Sequence, residues 1–400
     1  MPSIDCIIGL PGVELENAIV TDSIEVYAKT SLRPPCIHCG GYRIRIKASF
    51  TRRLNHTRQG NRLMVLCIRS RKFLCLLCRR YFNLRIPGVL PRKRSTESFR
   101  QEVYEKHHGG ISQRFLSRTH GIGEATVERW YHDFNVYRVK ELQGRCAPKI
   151  LGIDEHFFTR KEGYATTLCD LAKHKVYDVI LGRSEKSLER PLALISEKYR
   201  TRVAVMDLSE TYRQIVKEHF PNALIVADRF HVIRLVNHHF LKAWQLLDPA
   251  GRKNRGLLSL MRRHEENLKP EQRPKLQGYL ELNPVLKEIY EFKQRLCTLL
   301  RIRSKRKDEL RPIVHDLLTM INQLRQTTLE PLQTLGDTLD KWKEEIGRML
   351  RFSRSNAITE GFHTKMEMLS RRAFGFRNFS NYRLRVLAHC GWDGVFAIRN

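Results

Sequence analysis

Two sets of side chains in this sequence have the types and spacing that chemistry requires. The first is Cys36-Ile-His-Cys39, answered by Cys75-Leu-Leu-Cys78. A Cys-x-x-Cys turn aims two thiolates at one ion, and four thiolates close a tetrahedral structural zinc site with no position left open for catalysis. The competing reading is a set of buried apolar cysteines, with Cys67 and His38 blurring the ligand count. The second set is Asp154, Asp207 and Asp228, each closing a short apolar run: Ile150-Leu-Gly-Ile-Asp154, Val203-Ala-Val-Met-Asp207 and Ala223-Leu-Ile-Val-Ala-Asp228. Gathered carboxylates hold hard divalent cations such as Mg²⁺ or Mn²⁺, and a pair of such cations stabilises the attacking and leaving oxygens of a phosphoryl transfer. Any one of these aspartates is also a natural helix cap or turn former, Asp207 before Leu208-Ser-Glu-Thr211 especially.

The acids need a sheet to bring them together. Strands are expected at Ile150–Asp154, Tyr164–Leu171 and Val176–Leu181, then a helix over Leu188–Tyr199, a strand Val203–Asp207, a helix Glu210–Phe220, a strand Ala223–Asp228 and a helix from Phe230. This βββαβαβα order predicts an α/β fold with a ribonuclease H-like core, in which the first and fourth strands are neighbours and Asp154 meets Asp207. After Ala243 only helical periodicity remains, at Val285–Leu300, Leu310–Leu324 and Leu332–Leu350, so 146–242 reads as the first part of the core and 243–350 as an all-helical insertion. Residues 351–400 then complete the core. The cluster Arg301 to Lys307 faces either DNA or solvent.

Charge names the partner class. The 400 residues carry 72 Lys+Arg against 42 Asp+Glu, a net charge of +30, which is the sign that phosphate backbones neutralise. Val26 through Thr96 contains no acid at all, so Arg52, Arg53, Arg71, Lys72, Arg79 and Arg80 are candidate phosphate contacts in a zinc-binding DNA-recognition domain, 1–86. Within 87–145, Ile111 to Trp130 reads as a helix-turn-helix. Gly121 supplies its sharp turn, Leu116, Ile122, Val127 and Trp130 its small core, and Arg129 a DNA contact on the second helix. A helical hairpin that merely packs is the alternative. No apolar run reaches bilayer length and no signal-like segment opens the chain, which excludes a membrane class and predicts a cytoplasmic protein, nucleoid-associated when bound to DNA. Ten cysteines, four of them in two Cys-x-x-Cys pairs, fit a reducing compartment better than a disulfide framework.

Gly152-Ile-Asp-Glu155, Tyr164 to Asp170, Gly182-Arg183, Met206-Asp-Leu-Ser209, Phe220-Pro-Asn-Ala223, Asp228-Arg-Phe-His231, Ser355-Asn-Ala-Ile-Thr-Glu-Gly361 and Arg372-Ala-Phe-Gly-Phe-Arg-Asn-Phe379 form an ordered series of blocks. Together with the cysteine module they make the chain resemble, over nearly its whole length, the insertion-sequence L three (ISL3) family of bacterial transposases. The resemblance implies a DDE active site with Asp154, Asp207 and Glu360 as catalytic acids and magnesium ligands. It further implies binding of terminal inverted repeats, metal-dependent strand cleavage and strand transfer into target DNA. From the residues alone, Glu360 is only an acid near a helix start, favoured there by the helix dipole. Asp228 remains the rival to Asp207, and His231 is either a neighbour of the metal ligands, a DNA contact, or a satisfied structural histidine.

The chain departs from the family pattern where Ile37 and His38 replace an expected proline and where His156 replaces an aromatic. Near the end, Arg371, Arg372, Arg377, Arg383 and Arg385 interleave with Phe374, Phe376, Phe379 and Tyr382. Arginines gripping phosphates while rings stack on unpaired bases suit a frayed DNA end, with Arg372 and Arg377 as contacts; a helix packing its rings on the core is the alternative. Pairing two DNA ends predicts a homodimer or higher homo-oligomer. Two rival functions remain: a catalytically silent DNA-binding regulator derived from a transposase, and a nuclease of the same fold, against which the helical insertion and the end-binding modules argue.

Overall fold

The computed structural model describes residues 8–142, 145–304, 306–352 and 356–392. Of the positions singled out above, Lys305 and Ser355 lie outside these residues. The fold is mixed α/β with two five-stranded sheets and many helices, in two compact units, one running to Lys140 and the other spanning Glu141–Trp392.

In the first unit, β1 (Val13–Val20), β2 (Ser23–Thr30), β3 (Ile44–Gln59), β4 (Arg62–Cys75) and β5 (Tyr81–Asn83) form a sheet of order β1-β2-β4-β3, with β5 continuing beside β4. The long β3–β4 hairpin alternates, so that Leu54, Leu66, Ile68 and Phe73 are buried in one core with Phe82. Three helices follow: α1 (Glu97–His108), α2 (Gln113–His120) and α3 (Glu124–Glu141). Thr96 joins them to the sheet. Its hydroxyl caps α1 by accepting from the Phe99 amide at 3.3 Å and meets His56 Nδ1 at 2.9 Å, while its own amide donates to Asn55 O at 3.0 Å. Gly121 ends α2 in the left-handed region (φ 62), where a glycine is free of Cβ strain. Phe99, Val103, Leu116, Val127 and Trp130 share one core, with Ile122 packed against it.

The second unit runs β6 (Ile150–Thr159), β7 (Gly163–Asp170), β8 (Lys175–Leu181), α4 (Glu185–Ala193), β9 (Val203–Met206), α5 (Glu210–His219), β10 (Leu224–Ala227) and α6 (Arg229–Leu247). The sheet order is β10-β9-β6-β7-β8: β6, β7 and β8 are antiparallel, while β9 and β10 run parallel to β6. Two expectations need correcting. The first strand does not end at Asp154, because β7 continues to pair with β6 out to Thr159 after β9 has stopped at Met206. The helix expected over Leu188–Tyr199 ends at Ala193, soon after Pro191, whose missing N–H interrupts the ladder; a single 3₁₀ turn, Lys198–Arg200, follows.

Helices α7 (Pro249–Lys253), α8 (Arg255–Arg262), α9 (Gln272–Glu281), α10 (Pro284–Arg301), α11 (Lys307–Gln326), α12 (Glu330–Lys341) and α13 (Lys343–Arg351) come next, then α14 (Ala357–Arg372) and α15 (Phe379–Val386). The segment Leu332–Leu350 is thus two helices broken at Trp342. That indole is buried under the Arg213 guanidinium, 4.0 Å from the ring centre, and Arg213 in turn forks onto Glu345 at 2.7 and 3.0 Å. Arg348 donates to Ile225 O at 3.2 Å, so α13 brings the chain back to β10 and delivers α14 to the sheet edge. Among the described residues no helix is long and apolar enough to cross a membrane.

Candidate functional site

Strand register explains why three separated aspartates converge. Ile153 pairs with Met206, and Met206 with Ala227, so the residue after each, Asp154, Asp207 and Asp228, stands in one row across three strands. The row is pinned by Asp228 N donating to Met206 O at 2.7 Å. Asp154, Asp207 and His231 each offer a ligand atom within 4.8 Å of the others, and among the described residues this is the one metal-sized group that contains carboxylates. His231, in the first turn of α6, places Nδ1 between two acids, bonded to Asp207 and 2.9 Å from Asp228 Oδ2.

The electrostatics are those of crowded negative charge. Burial, then the Asp207 charge, pushes the Asp154 carboxyl up to about 7, against the pull of His231 and of the Glu155 amide, which donates at 2.8 Å. Burial disfavours a charged His231, yet its hydrogen bonds to Asp207 and Asp228 outweigh this and raise it to about 10. Glu360 lies on the first turn of α14 and outside the cluster, but burial and the charges of Asp228 and Asp207 raise its carboxyl too.

Asn356, which sequence reasoning quoted only as part of a block, ties this assembly together. Fully buried, it donates its backbone N–H to Asp228 Oδ1 (3.3 Å) and its side-chain amide to Ile153 O (3.2 Å), and accepts from Thr359 Oγ1 (2.5 Å). It fixes the start of the Glu360 helix against two acid-bearing strands. Gly152 belongs to the same fit, since a Cβ there would lie 2.8 Å from Asn356 Oδ1. Two further side chains went unnoticed in the sequence reading. Thr167, opposite Asp154 on β7, bonds His156 Nδ1 at 3.0 Å and His363 Nε2 at 3.1 Å, and His363 Nδ1 lies 3.7 Å from Asp154 Oδ2. No sequence pattern marks His363: its partners, Thr167 and Asp154, lie on β7 and β6 and meet it only in the folded chain.

In the first unit, Cys36, Cys39, Cys75 and Cys78 converge, with Cys36 and Cys78 sulfurs 3.6 Å apart and Cys39 and Cys75 the same. A tetrahedron with Zn–S of about 2.3 Å has edges near 3.8 Å, so the sulfurs suit a zinc ion and stand too far apart for disulfides. The two turns share one design: Gly40 N donates to Cys36 O at 2.8 Å and Arg79 N to Cys75 O at 3.0 Å, with Gly40 and Arg79 both left-handed. His38 contributes only its backbone, its N–H pointing at Cys36 Sγ. Backbone N–H groups, that of Cys78 first, draw the Cys75 thiol down to about 7.

The basic candidates divide. Arg53 is paired with Glu25 at 2.6 Å and Arg52 donates to Lys93 O at 2.9 Å, so both have protein partners. Lys72 lies over the Tyr81 ring at 5.1 Å and Arg129 reaches its own helix at Thr126. Arg71 is half-buried, while Arg79, Arg80, Arg372 and Arg377 are exposed. At the C-terminal end, Phe379 and Tyr382 pack on Phe158, Phe376 on Tyr382, and Arg383 forks onto Asp178 at 2.7 and 2.9 Å; Phe374 alone of these rings is fully exposed.

With this geometry in hand, the chain can be set beside known proteins. A family profile described as "Transposase", of the DDE ISL3 type, matches residues 151–386, more than half of the chain. A transposase for insertion sequence element IS1001 of Bordetella parapertussis is 24% identical over 248 residues, covering 60% of this chain and 60% of that relative's length.

Proposed function

Since this chain belongs to the ISL3 family of transposases, we propose that it is a metal-dependent DNA transposase of the DDE type. Its core is ribonuclease H-like, and Asp154, Asp207 and Glu360 are the acids that hold Mg²⁺ or Mn²⁺. The observation that carries this reading is the single row of acids across β6, β9 and β10, next to which Asn356 anchors the start of the helix that carries Glu360 in its first turn. Crowded oxygen donors with Asp154 pushed up to about 7 fit a hard divalent cation, which relieves their repulsion. When bound, the ions supply activation of water or a 3′-hydroxyl and neutralise charge on the phosphate.

The chain's own groups do the rest. Asp228, buried and held by the Asn356 amide, orients His231, and His231 holds the Asp207 carboxylate in place, so Asp228 is a positioning residue. Arg79, Arg80, Arg372 and Arg377 grip phosphates, and the helix after Gly121 enters the major groove with Arg129 on its surface. The four cysteines bind a structural zinc that folds the recognition module and takes no part in cleavage. Terminal inverted repeats and target DNA are the substrates, a homodimer or larger assembly pairs two ends, and the protein works in the cytoplasm, on the nucleoid.

The test is cleavage and joining of labelled DNA carrying the element's ends, in Mg²⁺ or Mn²⁺. Wild type is expected to cut and join, and Asp154→Ala, Asp207→Ala and Glu360→Ala to bind without cutting. Wild type that binds but never cuts would establish a regulator, and cutting without joining a nuclease.

A further inference from the structure

A pocket of about 540 Å³ opens beside the acid row, within the roughly 300–1,000 Å³ range of small-ligand sites. Its walls are Phe157 and Phe158 of β6, the Tyr382 ring from α15, and Thr364 and Ser370 of α14. His363 joins it to the acids, lining the pocket with one face while Nδ1 points at Asp154. Tyr382 OH and His156 Nε2 satisfy each other at 2.8 Å, and the buried Tyr382 ring backs Phe158 at 4.8 Å, so this end of the pocket offers a ligand no free polar atom from either. At the rim, Arg371 pairs with Glu367 at 2.6 Å, where a cation and an acceptor stand side by side.

A second observation lies three residues beyond Arg371. Phe374 is 100% exposed and its backbone is left-handed (φ 55), a conformation that bulky side chains rarely adopt and that costs energy. Two hydrogen bonds hold the strained turn, Phe374 N to Arg371 O at 3.1 Å and Gly375 N to Ser370 O at 2.8 Å. Folding gains nothing from a bare ring on a strained turn; an external partner with a flat apolar face does. Arg371, Arg372 and Arg377, all exposed, flank it with positive charge.

Building on the DNA-cleaving function proposed above, we propose that the pocket is a nucleobase subsite: a base beside the cleaved phosphodiester turns out of the duplex into it, and Phe374 fills the gap in the stack. The pocket gives the base an aromatic wall, Phe157 and Phe158, and hydroxyl and carboxylate groups at its edge, while the arginines hold the flanking phosphates. Turning a base out next to the acid row bends the strand there and presents the phosphodiester to Asp154 and Asp207. Stacking on an aromatic ring changes affinity by roughly tenfold or more per base, enough to compensate unstacking of one base.

The experiment uses the full-length protein and duplexes carrying the element's terminal repeat, with 2-aminopurine placed singly at each position flanking the cut. Ca²⁺ holds the complex uncleaved. One position is expected to brighten several-fold with wild type. Phe374→Gly keeps the left-handed turn and removes the ring; it is expected to bind the duplex normally, lose the brightening and cut at least about tenfold more slowly. An abasic site at the bright position should restore its rate. Ser370→Phe, which fills the pocket while sparing Phe374, should also abolish the signal. If wild type binds and cuts with no position brightening, or Phe374→Gly cuts at the wild-type rate, the subsite is disproved. If wild type neither binds nor cuts end DNA, the proposed function falls first and takes the subsite with it.

Discussion

The cysteine cluster and the acid cluster are built in opposite ways. Each Cys-x-x-Cys turn is a local device: its two sulfurs are set by hydrogen bonds within five residues, Cys36 O to Gly40 N and Cys75 O to Arg79 N, and the β3–β4 hairpin has only to bring two finished turns together. The acid cluster has no local unit. Asp154, Asp207, Asp228 and Glu360 come from four elements, aligned by strand register and by the Asn356 bridge across residues 153, 228 and 359. A local site is held by its ion and should come apart when the ion leaves. A long-range site is held by the fold around it and should survive the loss of any one ligand, losing only its chemistry.

The largest effect expected from this contrast is on cleavage. Asp154→Asn, Asp207→Asn or Glu360→Gln should each slow cleavage of end DNA roughly a thousandfold or more, since on the proposed function each removes a metal-binding charge worth several kcal/mol. The melting temperatures of Asp154→Asn and Glu360→Gln in metal-free buffer should not fall, because burial and neighbouring carboxylates disfavour the charge each removes; a fall of several degrees would mean that these acids hold the fold. The cysteines should behave the other way round. If the four cysteines hold zinc as proposed, Cys75→Ser or a strong chelator should remove it and erase the calorimetric transition of the first unit together with DNA binding, because zinc binding there would be folding free energy. The second unit's transition should persist, and its loss would show the two sites to be mutually dependent.

Next in size, Asn356→Ala should raise the half-saturating Mg²⁺ concentration and lower the rate about 10- to 100-fold, the range typical of residues that support metal ligands. An unchanged Mg²⁺ requirement would restrict Asn356 to a structural part. Arg80→Ala should weaken DNA binding a few-fold and reduce the slope of log affinity against log salt by about 1. The smallest effect concerns stability alone. Glu102 is partly buried, which raises its pKa, but hydrogen bonds from His120 and Lys106 outweigh burial and bring it to about 2, below its usual 4.5. Its contribution is therefore present above pH 4.5 and lost as pH falls towards 2. Glu102→Gln should lower the melting temperature at pH 6 by about 2–4 °C, and the difference should narrow between pH 4.5 and pH 2; a constant gap would mean that the effect is not electrostatic.

What could be read in the sequence follows the same division. The cysteine pairs announce themselves because spacing alone makes each turn. The strands before Asp207 and Asp228 are legible because each is an apolar run closed by one acid, and Gly121 marks the turn between α2 and α3. The extension of β6 past Asp154 was hidden, since it depends on β7 pairing out to Thr159 and not on an apolar run. The break at Trp342 was hidden too, because the helical pattern continues through it and Arg213, whose guanidinium covers the indole, is far off in sequence. Asn356, Thr167 and His363 carry no pattern of their own, and their roles exist only once β6, β7 and α14 meet. Among the interleaved arginines and aromatics, periodicity could not separate Tyr382, which packs inward, from Phe374, which faces solvent.

The central claim, that Asp154 and Asp207 hold the cation that cuts DNA, is tested most directly by changing the ligand's softness. Asp154→Cys and Asp207→Cys should be inactive in Mg²⁺ and regain single-turnover cleavage in Mn²⁺ or Cd²⁺, which accept thiolate ligands, whereas Asp228→Cys should show no such switch. Rescue at Asp228 in place of Asp207, or no rescue at either Asp154 or Asp207, would contradict it.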